Sequence, residues 1–221
     1  MKRVIIFCLA IGFMLGIFQQ TIAATPTEES SGMHFQEVKI TLAGDAETKA
    51  DYFVGQSARS VVLAPGAMFS KESWHFLAER FQEKGISSVA LNSGSRPDLL
   101  NAIAFLKSKG VKKITIVGAS AGGAGLLFTL QDDRIDPLVD SVILLAPAGG
   151  LPVQNEKIKK LFIVAEDDMV SSNAEVYKLY INSSDPKLYE EIIGSSDHAQ
   201  RLFESKHKER IIKMMIHFIE N

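Results

Sequence analysis

KITIVGASAGGAG, residues 113–125, joins a β-branched apolar run to a turn built only from glycine, alanine and serine. The run of isoleucine, threonine and valine predicts a β-strand. Leu126, Leu127 and Leu130 follow the turn at helical spacing. A serine between two close glycines, after a strand and before a helix, is the arrangement of a nucleophile elbow. The segment therefore predicts that Ser120 is a nucleophile.

The small residues around Ser120 meet a steric requirement of such a turn. The turn is tight, and the helix that follows points its N-terminal N–H groups and positive dipole end toward the serine oxygen. The alternative is a small-residue turn that only lets a strand and a helix pack closely. Two other glycine-loop sites are excluded. A phosphate-binding loop needs lysine where Ala124 stands, and a dinucleotide-binding loop needs glycine where Ser120 stands.

Apolar runs alternate with amphipathic runs along the rest of the chain. The predicted strands after Arg59 are short and apolar on both faces, and helical patterns separate most of them. This pattern predicts an α/β fold, a three-layer α/β/α sandwich with a mainly parallel sheet. The predicted strands lie near residues 35–42, 50–54, 59–64, 88–91, 113–117, 141–145, 161–164 and 188–193. Besides the helix after the glycine turn, the predicted helices lie near residues 70–85, 97–110, 174–180 and 211–219.

A serine nucleophile needs a base, and the chain has five histidines. Only His198 follows the last predicted strand in a polar loop, which spans residues 194–198. The other four lie in predicted helices or near the start of the domain: His34, His75, His207 and His217. We therefore predict that His198 is the base, and the alternative is a histidine on a surface loop.

An acidic cluster follows the buried strand predicted at residues 161–164. It consists of Glu166, Asp167 and Asp168. An isolated cluster of this kind is usually a solvated turn. Here it follows a buried strand, downstream of the serine turn and upstream of the histidine loop. This position favours a functional role, namely the acid that orients the base.

The order of serine turn, acidic cluster and histidine loop resembles the α/β-hydrolase superfamily. More narrowly, the chain from about Phe35 onward resembles its compact, lidless members, the dienelactone-hydrolase-like proteins and small serine esterases. Their acid loop often reads glycine, two residues, aspartate and an apolar pair. The resemblance thus implies Asp168 as the acid, with Asp167 as the second choice. The family commonly has glycine after the histidine, where this chain has Ala199.

The resemblance also implies an oxyanion hole made by backbone N–H groups. One donor is the N–H of Ala121, and the other is the N–H of Ala67, with Met68 as the second choice. The family often has a histidine before the glycine of this second loop. This chain has Pro65 before Gly66, which changes a side chain but keeps the backbone donors.

The expected cleft is open. Residues 145–161 leave little room for a helical lid, which favours short acyl chains or an exposed polymer ester as substrate. Met68, Phe69 and Trp74 are candidates for an apolar wall of the substrate site, and ordinary core packing is the alternative.

The expected activity is hydrolysis of a carboxylic ester through an acyl-enzyme, with no cofactor. A thioesterase, an amidase or a peptidase with the same triad is an alternative, as is a non-catalytic binding protein of this fold. The sequence contains no histidine spacing typical of a catalytic metal site. The formal net charge is −2 and the sequence has no long basic run. It therefore lacks the concentration of positive charge that is typical of nucleic-acid-binding proteins. The oligomeric state is left open.

Residues 1–23 have the features of a secretory signal peptide. Lys2 and Arg3 precede an apolar run of about fifteen residues, and small residues follow near Ala23. We expect cleavage after Ala23 and export to a periplasm or to the medium. The apolar run is short for a membrane span of roughly twenty residues, and a retained anchor is the alternative.

Cleavage would leave a polar linker over residues 24–33 and one α/β-hydrolase domain over residues 34–221. It would also remove Cys8, which is the only cysteine. The mature chain would then have neither a disulfide nor a thiol nucleophile. Loss of the two positive charges would make the mature chain mildly acidic.

Overall fold

The computed structural model describes residues 23–27, 35–42, 47–132, 135 and 137–221. The predicted signal peptide lies outside the described residues except for Ala23. Residues 24–27 of the predicted linker belong to a strand that forms one edge of the sheet and pairs with residues 37–41. Threonine favours a strand, and an edge strand tolerates a proline such as Pro26. The rest of the linker lies outside the described residues.

Nine strands of the described residues form one sheet in the order β1-β2-β3-β5-β4-β6-β7-β8-β9. The strands are β1 (Ala23–Thr27), β2 (Phe35–Thr41), β3 (Thr48–Phe53), β4 (Arg59–Ala64), β5 (Ser87–Leu91), β6 (Lys113–Ala119), β7 (Val139–Leu145), β8 (Lys159–Ala165) and β9 (Lys187–Ile192). β1, β2 and β3 form an antiparallel edge, and β3 pairs antiparallel with β5. From β5 to β9 every neighbouring pair is parallel, so the prediction of a mainly parallel sheet is confirmed.

Helices cover both faces of this sheet. The α-helices of the described residues are α1 (His75–Gln82), α2 (Arg96–Ser108), α3 (Ala121–Thr129), α4 (Asn173–Asn182) and α5 (Lys208–Glu220). α2 packs against α3, whereas α1 is joined to α5 by a bidentate ion pair between Arg80 and Glu209. This is the predicted three-layer α/β/α sandwich. Within the described residues, no helix has both the length and the hydropathy required of a membrane span.

Local sequence sets where two of the helices begin. The Ser95 side chain accepts the N–H of Asp98 at the start of α2, where Pro97 occupies the first turn. The start of α4 is a capping box, in which Ser172 and Glu175 each bind the other's backbone N–H. Such caps satisfy N–H groups that have no partner inside the helix.

The loop between β7 and β8 is short. Residues 146–158, all of which the structure describes, contain neither a helix nor a strand. The predicted absence of a large lid is confirmed there, and the carboxyl ends of the central strands remain open.

Two buried serines of the sheet differ in their hydrogen bonding, and this difference predicts opposite effects on stability. The hydroxyl of Ser141 lies 2.7 Å from that of Thr115, whereas the buried hydroxyl of Ser88 has no partner among the described residues. We expect Ser88→Ala to raise the free energy of unfolding by about 1 kcal/mol, because it removes an unsatisfied polar group. Ser141→Ala should lower it by about 1 kcal/mol, because Thr115 loses its partner.

Urea unfolding of the two variants and the wild type measures both effects. A loss of stability in Ser88→Ala equal to that in Ser141→Ala would contradict the prediction.

Candidate active site

Ser120 lies in the sharp turn between β6 and α3. Its backbone has φ 48° and ψ −116°, a conformation that residues other than glycine rarely adopt. A Cβ on Gly122 would come within 2.5 Å of the carbonyl oxygens of Ala64 and Pro65. The helix therefore starts directly against the end of β4, and only glycine fits there. The strained backbone of Ser120 and the close packing of α3 against β4 are both features of a nucleophile elbow.

Three side chains from three loops form a continuous chain of hydrogen bonds. The Oγ of Ser120 lies 2.8 Å from Nε2 of His198. On the other side of the imidazole ring, Nδ1 lies 2.8 Å from Oδ2 and 3.1 Å from Oδ1 of Asp168. The side chain of Asp168 is fully buried, while that of His198 is 19% exposed. This is the relation of nucleophile, base and orienting acid that acyl transfer needs.

The backbone around Asp168 holds its carboxylate in place. Oδ1 accepts the N–H of Val170 at 2.8 Å and the N–H of Ser171 at 2.9 Å. The neighbouring Asp167 is exposed, and its N–H donates to the carbonyl of Ser195 in the histidine loop. The acid loop and the histidine loop are thus joined through their backbones. Of the two aspartates, only Asp168 contacts the imidazole.

A second histidine also contacts an aspartate, but in a different setting. The Nε2 of His75 lies 2.7 Å from the buried Oδ2 of Asp51, whose other oxygen accepts the Lys71 ammonium. No serine hydroxyl hydrogen-bonds to His75 among the described residues. This network joins β3 to α1, and it lacks a nucleophile.

Two unused backbone donors lie beside Ser120. Ala121 is the first residue of α3, and Ala67 lies in a turn that the Phe69 N–H closes on the Gly66 carbonyl at 3.0 Å. Neither the Ala121 nor the Ala67 N–H donates to another residue in the described part of the chain. A Cβ on Gly66 would lie 3.2 Å from the Cβ of Ser120, so this turn passes directly over the serine. Both N–H groups are available to an oxyanion formed there.

No family model matches this chain, and no curated protein matches it. Solved structures do match. An α/β hydrolase from a Penicillium species superposes with a TM-score of 0.69 at 14% identity, over 84% of this chain and 98% of that one. An esterase from Pyrococcus furiosus gives a TM-score of 0.67 at 14% identity, over 85% and 92%. A monoacylglycerol lipase from Paleococcus ferrophilus gives 0.64 at 14% identity, over 79% and 98%.

The chain has the α/β-hydrolase fold. At these identities the likeness establishes the fold, and the chemistry depends on the residues of the site itself.

Gln200 is a site residue that the sequence did not reveal. Its buried Oε1 accepts the N–H of Gly66 at 2.7 Å, and its Nε2 donates to the Ser73 hydroxyl at 2.7 Å. The amide therefore ties the histidine loop to the turn that carries Ala67. No local pattern marks this residue, because its partner lies 134 positions away in the chain.

The cleft above Ser120 has a volume of about 540 Å³. Met68 and Phe69 line it, and Met68 is 89% exposed. Trp74 does not line it, which corrects the sequence-based prediction. Its indole is fully buried and packs edge-on against Phe203 with ring centroids 6.3 Å apart, so the ring belongs to the core.

Ala199, where proteins of this fold commonly have glycine, has φ 49°. An alanine in this left-handed conformation costs roughly 1 kcal/mol, which explains the usual preference for glycine. The backbone thus turns sharply after His198 even though residue 199 is alanine rather than glycine.

Proposed function

We propose that the protein hydrolyses carboxylic esters, with Ser120 as the nucleophile, His198 as the base and Asp168 as the orienting acid. The observation that carries this proposal is the unbroken hydrogen-bond chain from the buried carboxylate to the serine hydroxyl. The serine hydroxyl at the end of these hydrogen bonds lies in an open cleft, beside the unused N–H groups of Ala67 and Ala121.

The geometry supports a two-step acyl transfer. His198 Nε2 takes the proton of Ser120 as Oγ attacks the ester carbonyl. The N–H groups of Ala67 and Ala121 then stabilise the oxyanion, and such a donor is typically worth about 3 kcal/mol. His198 passes the proton to the leaving alcohol, which departs as the acyl-enzyme forms. In the second step His198 takes a proton from water, the hydroxide attacks the acyl carbonyl, the acid departs as the bond to Ser120 Oγ breaks, and His198 returns the proton to Oγ.

Asp168 contributes through the imidazole. Its carboxylate accepts Nδ1–H, which leaves Nε2 unprotonated and able to accept the serine proton. It also stabilises the imidazolium that forms in each step. The names of the matching Pyrococcus and Paleococcus proteins, an esterase and a lipase, support esters rather than amides as substrates. Export, with cleavage after Ala23, belongs to the same proposal and rests on the sequence of residues 1–23.

Replacing Ser120 by alanine tests the proposal. We expect the wild type to release p-nitrophenol from short p-nitrophenyl esters and to be labelled by a fluorophosphonate probe. Ser120→Ala should lose both properties, because no other hydroxyl contacts His198 among the described residues. Ser88→Ala is the matched control, since Ser88 is a core serine of β5, and it should keep both.

Two results would contradict the proposal. Full labelling of Ser120→Ala would place the nucleophile elsewhere. A wild type with neither turnover nor labelling on any ester would favour a non-catalytic binding protein.

A further inference from the structure

A second depression adjoins the catalytic cleft. It has a volume of about 590 Å³, which is within the range of ligand sites, and it lies between residues 147–152 after β7 and one side of α4. Val170 lines both the cleft and this depression. The two hollows therefore share a lining residue two positions after Asp168.

Both walls of the depression are attached to the catalytic residues. The Ala148 N–H donates to the carbonyl of Ser120 at 3.0 Å, so residues 147–152 begin at the backbone of the serine. On the opposite wall, the N–H groups of Val170 and Ser171 bind Asp168. A ligand in the depression would thus be positioned by the same segments that position the triad.

The surface that the depression offers to a ligand is mainly apolar. Leu151 is 48% exposed and Val170 is 65% exposed, so both side chains present apolar surface to the depression. The polar side chains of α4 in this wall have other partners or remain in water. Glu175 accepts the Ser172 N–H, and the Asn182 amide donates to a backbone carbonyl of α4. Lys178 is exposed.

The direction of the proton transfer assigns the depression to one part of the ester. The leaving alcohol must receive the proton of His198 Nε2, so it occupies the part of the cleft lined by residues 196–199 and 201. The acyl part of the ester must then lie elsewhere in the cleft, where Val170 is the lining residue that the cleft shares with the depression. The depression is the apolar hollow that it meets there.

We infer that this depression is the acyl-chain subsite, and that the preferred substrates are esters of medium-chain acids rather than acetates. The inference rests on the proposed function and replaces the sequence-based expectation of short acyl chains. The observations that carry it are the lining residue Val170, which the two hollows share, and the mainly apolar surface of the depression.

A chain-length series tests the inference. Each methylene that leaves water should raise kcat/KM about four-fold, until the chain fills the depression. We therefore expect kcat/KM to rise from p-nitrophenyl acetate through butyrate to hexanoate.

Two variants of the depression should change this series in opposite directions. Leu151→Asp places a charge in the apolar wall and should lower the ratio of hexanoate to acetate kcat/KM about ten-fold. Lys178→Leu extends the apolar wall from an exposed helix position and should raise that ratio. Leu188→Asp makes the same change at an exposed leucine of β9, outside both hollows, and should leave the ratio unchanged.

The outcomes separate the two proposals. If acetate hydrolysis depends on Ser120 but kcat/KM is flat or falls with chain length, the acyl subsite is wrong and the esterase proposal stands. If Leu151→Asp and Leu188→Asp change the ratio equally, or if Lys178→Leu lowers it, the subsite is also wrong. If no ester is turned over through Ser120, both proposals fail.

Discussion

Replacing Asp168 by asparagine is expected to lower kcat for ester hydrolysis about 10,000-fold, with a small change in KM. The structure specifies how the substitution acts. Oδ1 of Asp168 accepts two backbone N–H groups, from Val170 and Ser171. An asparagine must keep its carbonyl oxygen at that position to satisfy them. Its NH2 group then faces Nδ1 of His198.

This orientation reverses the tautomer of the imidazole. Nδ1 must accept the amide N–H, so the ring proton moves to Nε2, which contacts Ser120. A protonated Nε2 cannot take the serine proton, and the imidazolium loses its counter-charge. Because the buried N–H groups remain satisfied, Asp168→Asn should unfold at nearly the wild-type temperature.

Asp167→Asn is the matched control. Asp167 precedes Asp168, is exposed and has no contact with His198, so its substitution should leave kcat within about two-fold of the wild type. Steady-state kinetics and thermal unfolding of the two variants decide between the aspartates. A collapse of kcat in Asp167→Asn, with normal activity in Asp168→Asn, would assign the acid to Asp167.

The residues of the proposed triad could be selected from the sequence because each follows its own strand. Ser120, Asp168 and His198 come after β6, β8 and β9, and neighbouring parallel strands bring their carboxyl ends to one edge of a sheet. The order of three local patterns was therefore enough to bring together residues that are far apart in the chain. The choice of Asp168 over Asp167 came from a resemblance, and the structure supports it through the contacts of the carboxylate.

Features that depend on contacts between distant residues were not predictable. Trp74 follows the proposed oxyanion turn closely in the sequence, which suggested that its ring faces the cleft. The direction of the ring is instead set by its packing against Phe203. The strand at Ala23–Thr27 lies in a polar, breaker-rich segment, and it forms by pairing with β2 at the sheet edge. Neither the direction of a side chain nor the pairing of an edge strand is visible in local periodicity.

Among the residues whose role depends on contacts far along the chain, Gln200 has the largest expected effect on kcat. We expect Gln200→Ala to lower kcat about 100-fold, because the Gly66 N–H loses its buried partner and the turn that carries Ala67 is no longer held over Ser120. KM should change little, since the Ala67 N–H would bind an oxyanion that exists only after the attack.

Ser73→Ala separates the two ends of the Gln200 amide. It removes the partner of Nε2 but keeps the bond from Gly66 to Oε1, so kcat should fall only a few-fold. Kinetics at a temperature well below unfolding distinguish positioning from simple stability. A merely structural Gln200 would lower the unfolding temperature of Gln200→Ala and leave kcat per folded molecule unchanged. If Gln200 positions the proposed oxyanion donor, kcat falls while the molecule is still folded, and Ser73→Ala stays close to the wild type.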